Sequence, residues 1–191
     1  MPFVNPFPNP YPAPTPQLLY ANNFSQPLPG SSADNSDAED YVTGVAPTGY
    51  ITFGCLVVQD PTVTTALQGG IGQGAKHPTS QADVDAGVLG LAVRTAAMES
   101  RRDGTPPGYL PGDPINIKRL GRMWTVSESG STIHGVVYVR ITANGVNGCT
   151  QLGALSDQAD SVLNVPVTGI RWMDASQPGA PARVEFNFIG Q

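Results

Sequence analysis

Charge is scarce in this chain: 13 % of its 191 residues, and none among the first thirty. Ten Lys and Arg stand against fifteen Asp and Glu, a net charge of −5, so no broad basic face is on offer to displace counterions from a nucleic acid. The basic clusters are the pair Arg101 and Arg102 and the trio Lys118, Arg119 and Arg122. Both are short enough to read as a solvated rim or as contacts with an acidic protein surface. Histidine is rarer still. His77 and His134 lack a second His or Cys at ligand spacing, which excludes an ordinary zinc site. The two cysteines, Cys55 in an apolar strand-like run and Cys149 in a Gly/Asn-rich loop, do not make a disulfide framework. That usage suits synthesis in a reducing cytoplasm. No apolar run approaches membrane-spanning length, and the N-terminus lacks the basic and apolar regions of a signal peptide.

Catalytic signatures are missing as well. In GGIGQGAK (residues 69–76) Ala75 separates the last glycine from Lys76, and His77-Pro78 stands where a phosphate loop needs Ser or Thr and a helix. A surface loop is the better reading, and the missing helix also rules out a dinucleotide fingerprint. Ser127 and Ser131 lie near His134 in sequence, yet no G-x-S-x-G elbow frames either serine. Carboxylates are scattered singly, leaving paired acid–base chemistry without an anchor. Neither an enzyme nor a cofactor is expected.

What the chain has instead is proline and glycine, 19 and 22 residues, which imply many turns and few long helices. Nine of the prolines fall in the first thirty residues, interleaved with Phe3, Phe7, Tyr11, Leu18, Leu19, Tyr20 and Phe24. Proline fixes φ and has no N–H, so neither a helix nor a central strand can run through this segment, and an extended polyproline-like arm remains. Disordered tails are typically charged and poor in rings; this one is neutral and rich in them, as suits a segment that lies on another protein. Burying those seven side chains returns roughly 10–20 kcal/mol in all. Ordering thirty backbones costs on the order of 30–60 kcal/mol. The arm is therefore expected to order only where a partner adds backbone hydrogen bonds and further contact. The acidic run DNSDAED (residues 34–40) reads as a hydrated linker, giving an arm and linker over residues 1–40 and a domain over 41–191.

From Tyr41 onward, short β-type runs recur between turn signals: 41–45, 49–60, 86–95, 115–118, 121–128, 135–142, 168–174 and 182–190. The run 49–60 alternates, with Ile51, Phe53, Cys55 and Val57 on one face. In the last run Val184, Phe186 and Phe188 face one way and Arg183, Glu185 and Asn187 the other. Ser129-Gly130-Ser131 reads as a turn between its flanking strands. About eight evenly spaced strands predict an all-β, antiparallel jelly-roll or barrel-like domain behind the extended arm. A short helix is expected only over 92–103.

The order of these segments resembles a known family. Gly54 to Asp60, a Gly/Ala-rich strand ending in Arg94, the run from Tyr109 through PGDPINIKRLGRMWTV, VYVRIT from Val137, IRWMD from Ile170 and the terminal VEFNF strand together resemble the structural cement, or capsid decoration, proteins of tailed double-stranded DNA phages. The resemblance covers roughly residues 49–189 and is densest over 109–142.

The resemblance implies a virion protein on the outer surface of an icosahedral shell, bound to a major capsid protein of the HK97-like fold. It also implies a symmetric homo-oligomer, a dimer or trimer, that reinforces the shell against internal DNA pressure by bridging capsid subunits. The arm aromatics would supply most of the attachment, with Arg101, Arg102, Lys118, Arg119 and Arg122 as charged contacts. No direct nucleic-acid or membrane partner is expected. The competing reading is a head-fibre or tail-associated module that recognises host-surface carbohydrate, with Trp124, Trp172 and Tyr138 as an aromatic platform.

Overall fold

A computed structural model describes residues 27–33, 40–46, 49–63, 73–95, 108–145 and 149–189. The arm side chains Phe3, Phe7, Tyr11, Leu18, Leu19, Tyr20 and Phe24, with Arg101 and Arg102, lie outside the described residues. The first strands are β1 (Asp40–Val45), β2 (Ile51–Thr52), β3 (Leu56–Asp60), β4 (Gly74–Lys76) and β5 (Val88–Ala92). They are followed by β6 (Gly108–Tyr109), β7 (Pro114–Val126), β8 (Val137–Arg140) and β9 (Leu155–Ser156). The last three are β10 (Asn164–Val167), β11 (Ile170–Trp172) and β12 (Pro181–Asn187).

The main sheet runs β1-β4-β3-β5-β7-β12-β11, and a further pairing of β1 with β7 closes its first five strands into a barrel. The sheet is antiparallel apart from the single parallel pair Val45 with Gly74. A three-stranded sheet, β10-β8-β9, and the pair β2-β6 complete the architecture. Of the two all-β arrangements expected, the barrel is the one adopted.

Two cores follow from this layout. Ile51, Phe53, Val57, Leu89, Ile115 and Ile117 form one. Leu56, Val58, Val88, Leu91, Trp172 and Phe186 belong to the other. Strands β3 and β5 stand between them and bury both faces, Val57 against one core and Leu56 and Val58 against the other. For that reason LVV and VLGLA read as unbroken apolar runs rather than as alternations. The expected single run over 49–60 is broken at Gly54 into β2 and β3.

Strand β7 joins the two halves. Its first half pairs with β1, Val45 opposite Pro114 through Asp40 opposite Leu120, while Lys118 and Ile117 also face Leu91 and Ala92 of β5. Its second half pairs with β12, Asn187 opposite Leu120 through Pro181 opposite Val126. INIK and GRMWTVSE, expected as separate strands, are thus one strand that continues across Arg119 and Leu120. Residues 27–33, grouped with the arm by composition, belong to the same pairing. Ser32 bridges Met123, Gly30 N donates to Trp124 O at 2.7 Å, and Trp124 N donates to Ser31 O at 3.0 Å.

Other expectations are corrected. Strands β7 and β8 do not pair around Ser129-Gly130-Ser131, because β12 occupies β7 while β8 sits between β9 and β10. In the GGIGQGAK segment, Gly74 to Lys76 form β4 rather than loop. The helix among the described residues is α1 (Gln81–Asp85), where Ser80 Oγ caps the N-terminus by accepting from Asp83 N. Within the expected helix, Ala92 closes β5 and residues 93–95 are irregular; residues 96–103 lie outside the described residues.

Candidate functional site

Period-two alternation on β12 sends Ala182, Val184 and Phe186 into the core and leaves Arg183, Glu185 and Asn187 outward. The register then sets Trp124, Arg122 and Leu120 of β7 opposite them, and Arg171 of β11 opposite Glu185. The result is a face of cross-strand rungs. Arg122 donates to Glu185 Oε1 from Nε at 3.0 Å and from Nη2 at 2.9 Å. Arg171 donates to the other carboxylate oxygen from Nε at 2.7 Å and also from Nη2. One rung further, the Arg183 guanidinium lies 5.6 Å from the centre of the Trp124 ring and forks Asp174 at 2.8 and 2.6 Å.

These bonds shape the local electrostatics. Hydrogen bonds from Arg171 and then Arg122 hold the Glu185 carboxyl below its usual range, and those from Arg183 do the same to Asp174. A groove of about 560 Å³ opens along the face, lined by Leu120, Gly121, Arg122, Ile170 and Arg171 among others. The root of the Pro-rich segment, residues 30–33, pairs with β7 beside these rungs.

The structure separates the three cations of the expected trio. Lys118, expected as a surface contact, is fully buried. Its ammonium donates to Ser32 Oγ at 2.9 Å and to Arg122 O at 3.0 Å, and it lies 5.6 Å from the centre of the Tyr41 ring. Alternation would point Lys118 outward with Asn116, but Ser32 and Tyr41 lie over it, so the side chain ties elements together. Arg119 stays partly exposed, 3.7 Å from Asp40, and Arg122 forms part of the face.

Trp172 is fully buried, so it cannot join Trp124 and Tyr138 in an exposed platform. Both serines near His134 in sequence direct their hydroxyls at backbone carbonyls: Ser127 Oγ donates to Gly130 O and Ser131 Oγ to Asp174 O at 2.7 Å. Among the described residues no group of His, Cys, Asp or Glu could hold a metal ion. Both cysteines are free thiols, and burial pushes Cys55 up to about 12.

A second ionic cluster lies inside the fold. Arg140 Nε and Nη2 donate to Glu128 Oε2 at 3.0 and 2.9 Å, and Nη1 donates to Asp160 Oδ2 at 2.6 Å. Asn144 adds a bond to the same Asp160 oxygen at 2.9 Å. Burial pushes Glu128 up against the opposing pull of Arg140, whereas bonds from Asn144 and Arg140 hold Asp160 down. Both clusters went unread in the sequence. Outward Arg183 and Glu185 were legible from alternation; their partners depend on register.

Comparison with known proteins supplies the class. A family model described as structural cement protein (E217 gp24/Pam3 gp6) matches residues 16–187. The chain belongs to this phage structural cement protein family, and so is a structural protein of a phage capsid that associates with capsid proteins in the virion. A chain in the structure described as the capsid of Myoviridae phage XM1 shares the fold, with a TM-score of 0.58 at 13 % identity over 86 % of this chain and 93 % of that one. Among curated proteins, none matches.

Proposed function

We propose that this protein binds the outer surface of an icosahedral phage shell and stabilises it by bridging subunits of a major capsid protein with the HK97-like fold. It is made in the host cytoplasm and acts as a symmetric homo-oligomer, a dimer or trimer. The observation that carries this reading is the extent of the family match, which begins at residue 16, inside the Pro-rich segment, and runs to the last strand. The family pattern therefore includes the latter part of the arm as well as the barrel. The arm rings supply most of the attachment, and the face around Arg122, Arg171 and Trp124 lies against the shell beside the arm root.

Stabilisation is mass action. A protein that binds the assembled shell but not its free subunits adds RT ln(1 + [L]/Kd) per site, about 2.7 kcal/mol at a hundredfold excess over Kd, multiplied over many equivalent sites. Particles with and without this protein are compared for DNA release on heating. Earlier release from the bare particles is expected. Identical release at full occupancy overturns the cement reading. In the same preparations a chain starting at Pro27 should attach far more weakly than the full chain, and equal attachment overturns the role of the arm.

A further inference from the structure

The root of the arm is built into the barrel by contacts that only glycine permits. Gly30 has φ of +82°, and a Cβ there would stand 2.8 Å from Phe53 Cβ, 2.9 Å from Arg94 N and 3.0 Å from Gly54 N. Gly54 answers it with φ of +76°, and a Cβ on that residue would stand 2.9 Å from Gly30 N. The two backbones therefore lie directly against each other, at positive φ that other residues rarely adopt. Main-chain bonds complete the joint. Gly30 N donates to Trp124 O at 2.7 Å, Arg94 N to Gly30 O at 2.8 Å, Trp124 N to Ser31 O at 3.0 Å and Ala33 N to Arg122 O at 3.2 Å. From beneath, the buried ammonium of Lys118 holds Ser32 Oγ at 2.9 Å.

Such a joint exceeds what a tether needs. A tether could leave the domain at Asp40, where β1 begins, after the acidic run. Instead the chain already takes up the edge of β7 at residues 30–33, and it pairs with β7 again at Asp40, opposite Leu120. We propose that residues 30–33 are a positioning anchor that fixes where the arm leaves the barrel, with Gly30, Gly54 and Lys118 as its positioning residues. The anchor holds the departure point of the arm beside the Arg122 and Trp124 face, so the two engage the shell at a set spacing. This rests on the reading that arm and face both contact the shell. Releasing the anchor would let residues 27–39 act as additional linker, and effective concentration falls as roughly the −3/2 power of linker length. The expected loss of shell affinity is about two- to tenfold.

Two full-length variants test the anchor, one loosened and one locked. Gly30→Val is expected to speed amide hydrogen exchange at position 30 and at Ala33, Arg94 and Trp124, leave exchange in β3 and β8 unchanged, and weaken binding to purified shells by that factor. In the other, Ser32→Cys with Met123→Cys exploits their place as a non-hydrogen-bonded pair, whose Cα atoms approach to about 4.5 Å, within disulfide range. Its oxidised form should bind shells as tightly as its reduced form, since the anchor is already docked when the protein is bound. Wild-type affinity in Gly30→Val with exchange raised overturns the proposal, as does unchanged exchange in that variant. Weaker binding of the oxidised than of the reduced cysteine pair overturns it too, by showing that the root must detach. Should Gly30→Val fail to fold, the cysteine pair decides alone. A chain starting at Pro27 keeps the anchor and lacks the arm; its equal binding would instead refute the arm's contact with the shell.

Discussion

Two arginine–carboxylate clusters in this molecule use the same chemistry in opposite surroundings. Arg140, at the end of β8 with its side chain 3 % exposed, bridges Glu128 and Asp160, whereas Arg171, 55 % exposed, shares Glu185 with Arg122 on the outer face of β7, β12 and β11. Water decides what each is worth. A guanidinium removed from solvent must keep its partners, because an unpaired buried charge costs several kcal/mol. One that remains half in solvent gives up little when its partner changes. The first cluster therefore ties β8 to the segments on either side of the three-stranded sheet, while the second can change partners at little cost to the fold.

The largest break in that comparison is expected from Arg140→Ala, which leaves Glu128 buried without its cation and should cost about 3–5 kcal/mol in denaturant unfolding. A cost below about 1 kcal/mol would place both clusters in the same class.

Acid sharpens the contrast through opposite signs. Glu128 is raised by burial above its ordinary 4.5, so its contribution is full below that pH and fades as pH rises through its folded value. Glu185 is lowered from 4.5 by Arg171 and Arg122, so its contribution is full above 4.5 and fades as pH falls through its folded value. The stability gap between wild type and Glu128→Gln should accordingly narrow as pH climbs from about 4.5, while that for Glu185→Gln should narrow as pH drops below it. Unfolding curves measured across pH 3–7 check both, and parallel trends would refute the assignment.

Smaller effects belong to the exposed cluster. Arg171→Ala is expected to shift stability by only about 0.5 kcal/mol, yet to weaken attachment to shells if the face makes contact there. Raising salt to 1 M shortens the screening length to about 3 Å and should erase most of that stability difference. The cost of Arg140→Ala should survive it. A salt response of equal size in both variants would show that water reaches Arg140.

Much of the architecture was readable along the chain because strand period and turn chemistry are local properties. The alternation of residues 182–188 and the runs of β1, β5 and β8 correspond to strands at nearly those positions. Two errors share one cause. Residues 119–120 read as a break between strands, yet β7 continues because β12 takes over its edge where β5 leaves it. Residues 129–131 read as a hairpin turn, yet the flanking strands belong to different sheets. Pairing partners are chosen across the fold, and turn residues report only local backbone preference. The helix at 81–85 had a local signal, Ser80 three residues before Asp83, that the polar character of the stretch concealed.

By itself, then, the sequence determined the class: an all-β domain behind a proline-rich, ring-bearing segment, in an order of segments that matches phage cement proteins. Those features rest on φ restriction, side-chain period and composition, which act over a few residues. Only the tertiary structure decided which cations face outward. Lys118, outward by alternation, is buried because Ser32 arrives from the far side of the acidic run to cover it. Arg122 and Arg171 meet on one carboxylate because the register of three strands brings them there. Burial and ion pairing are properties of neighbours, and these neighbours lie from 14 to 86 residues apart in the chain.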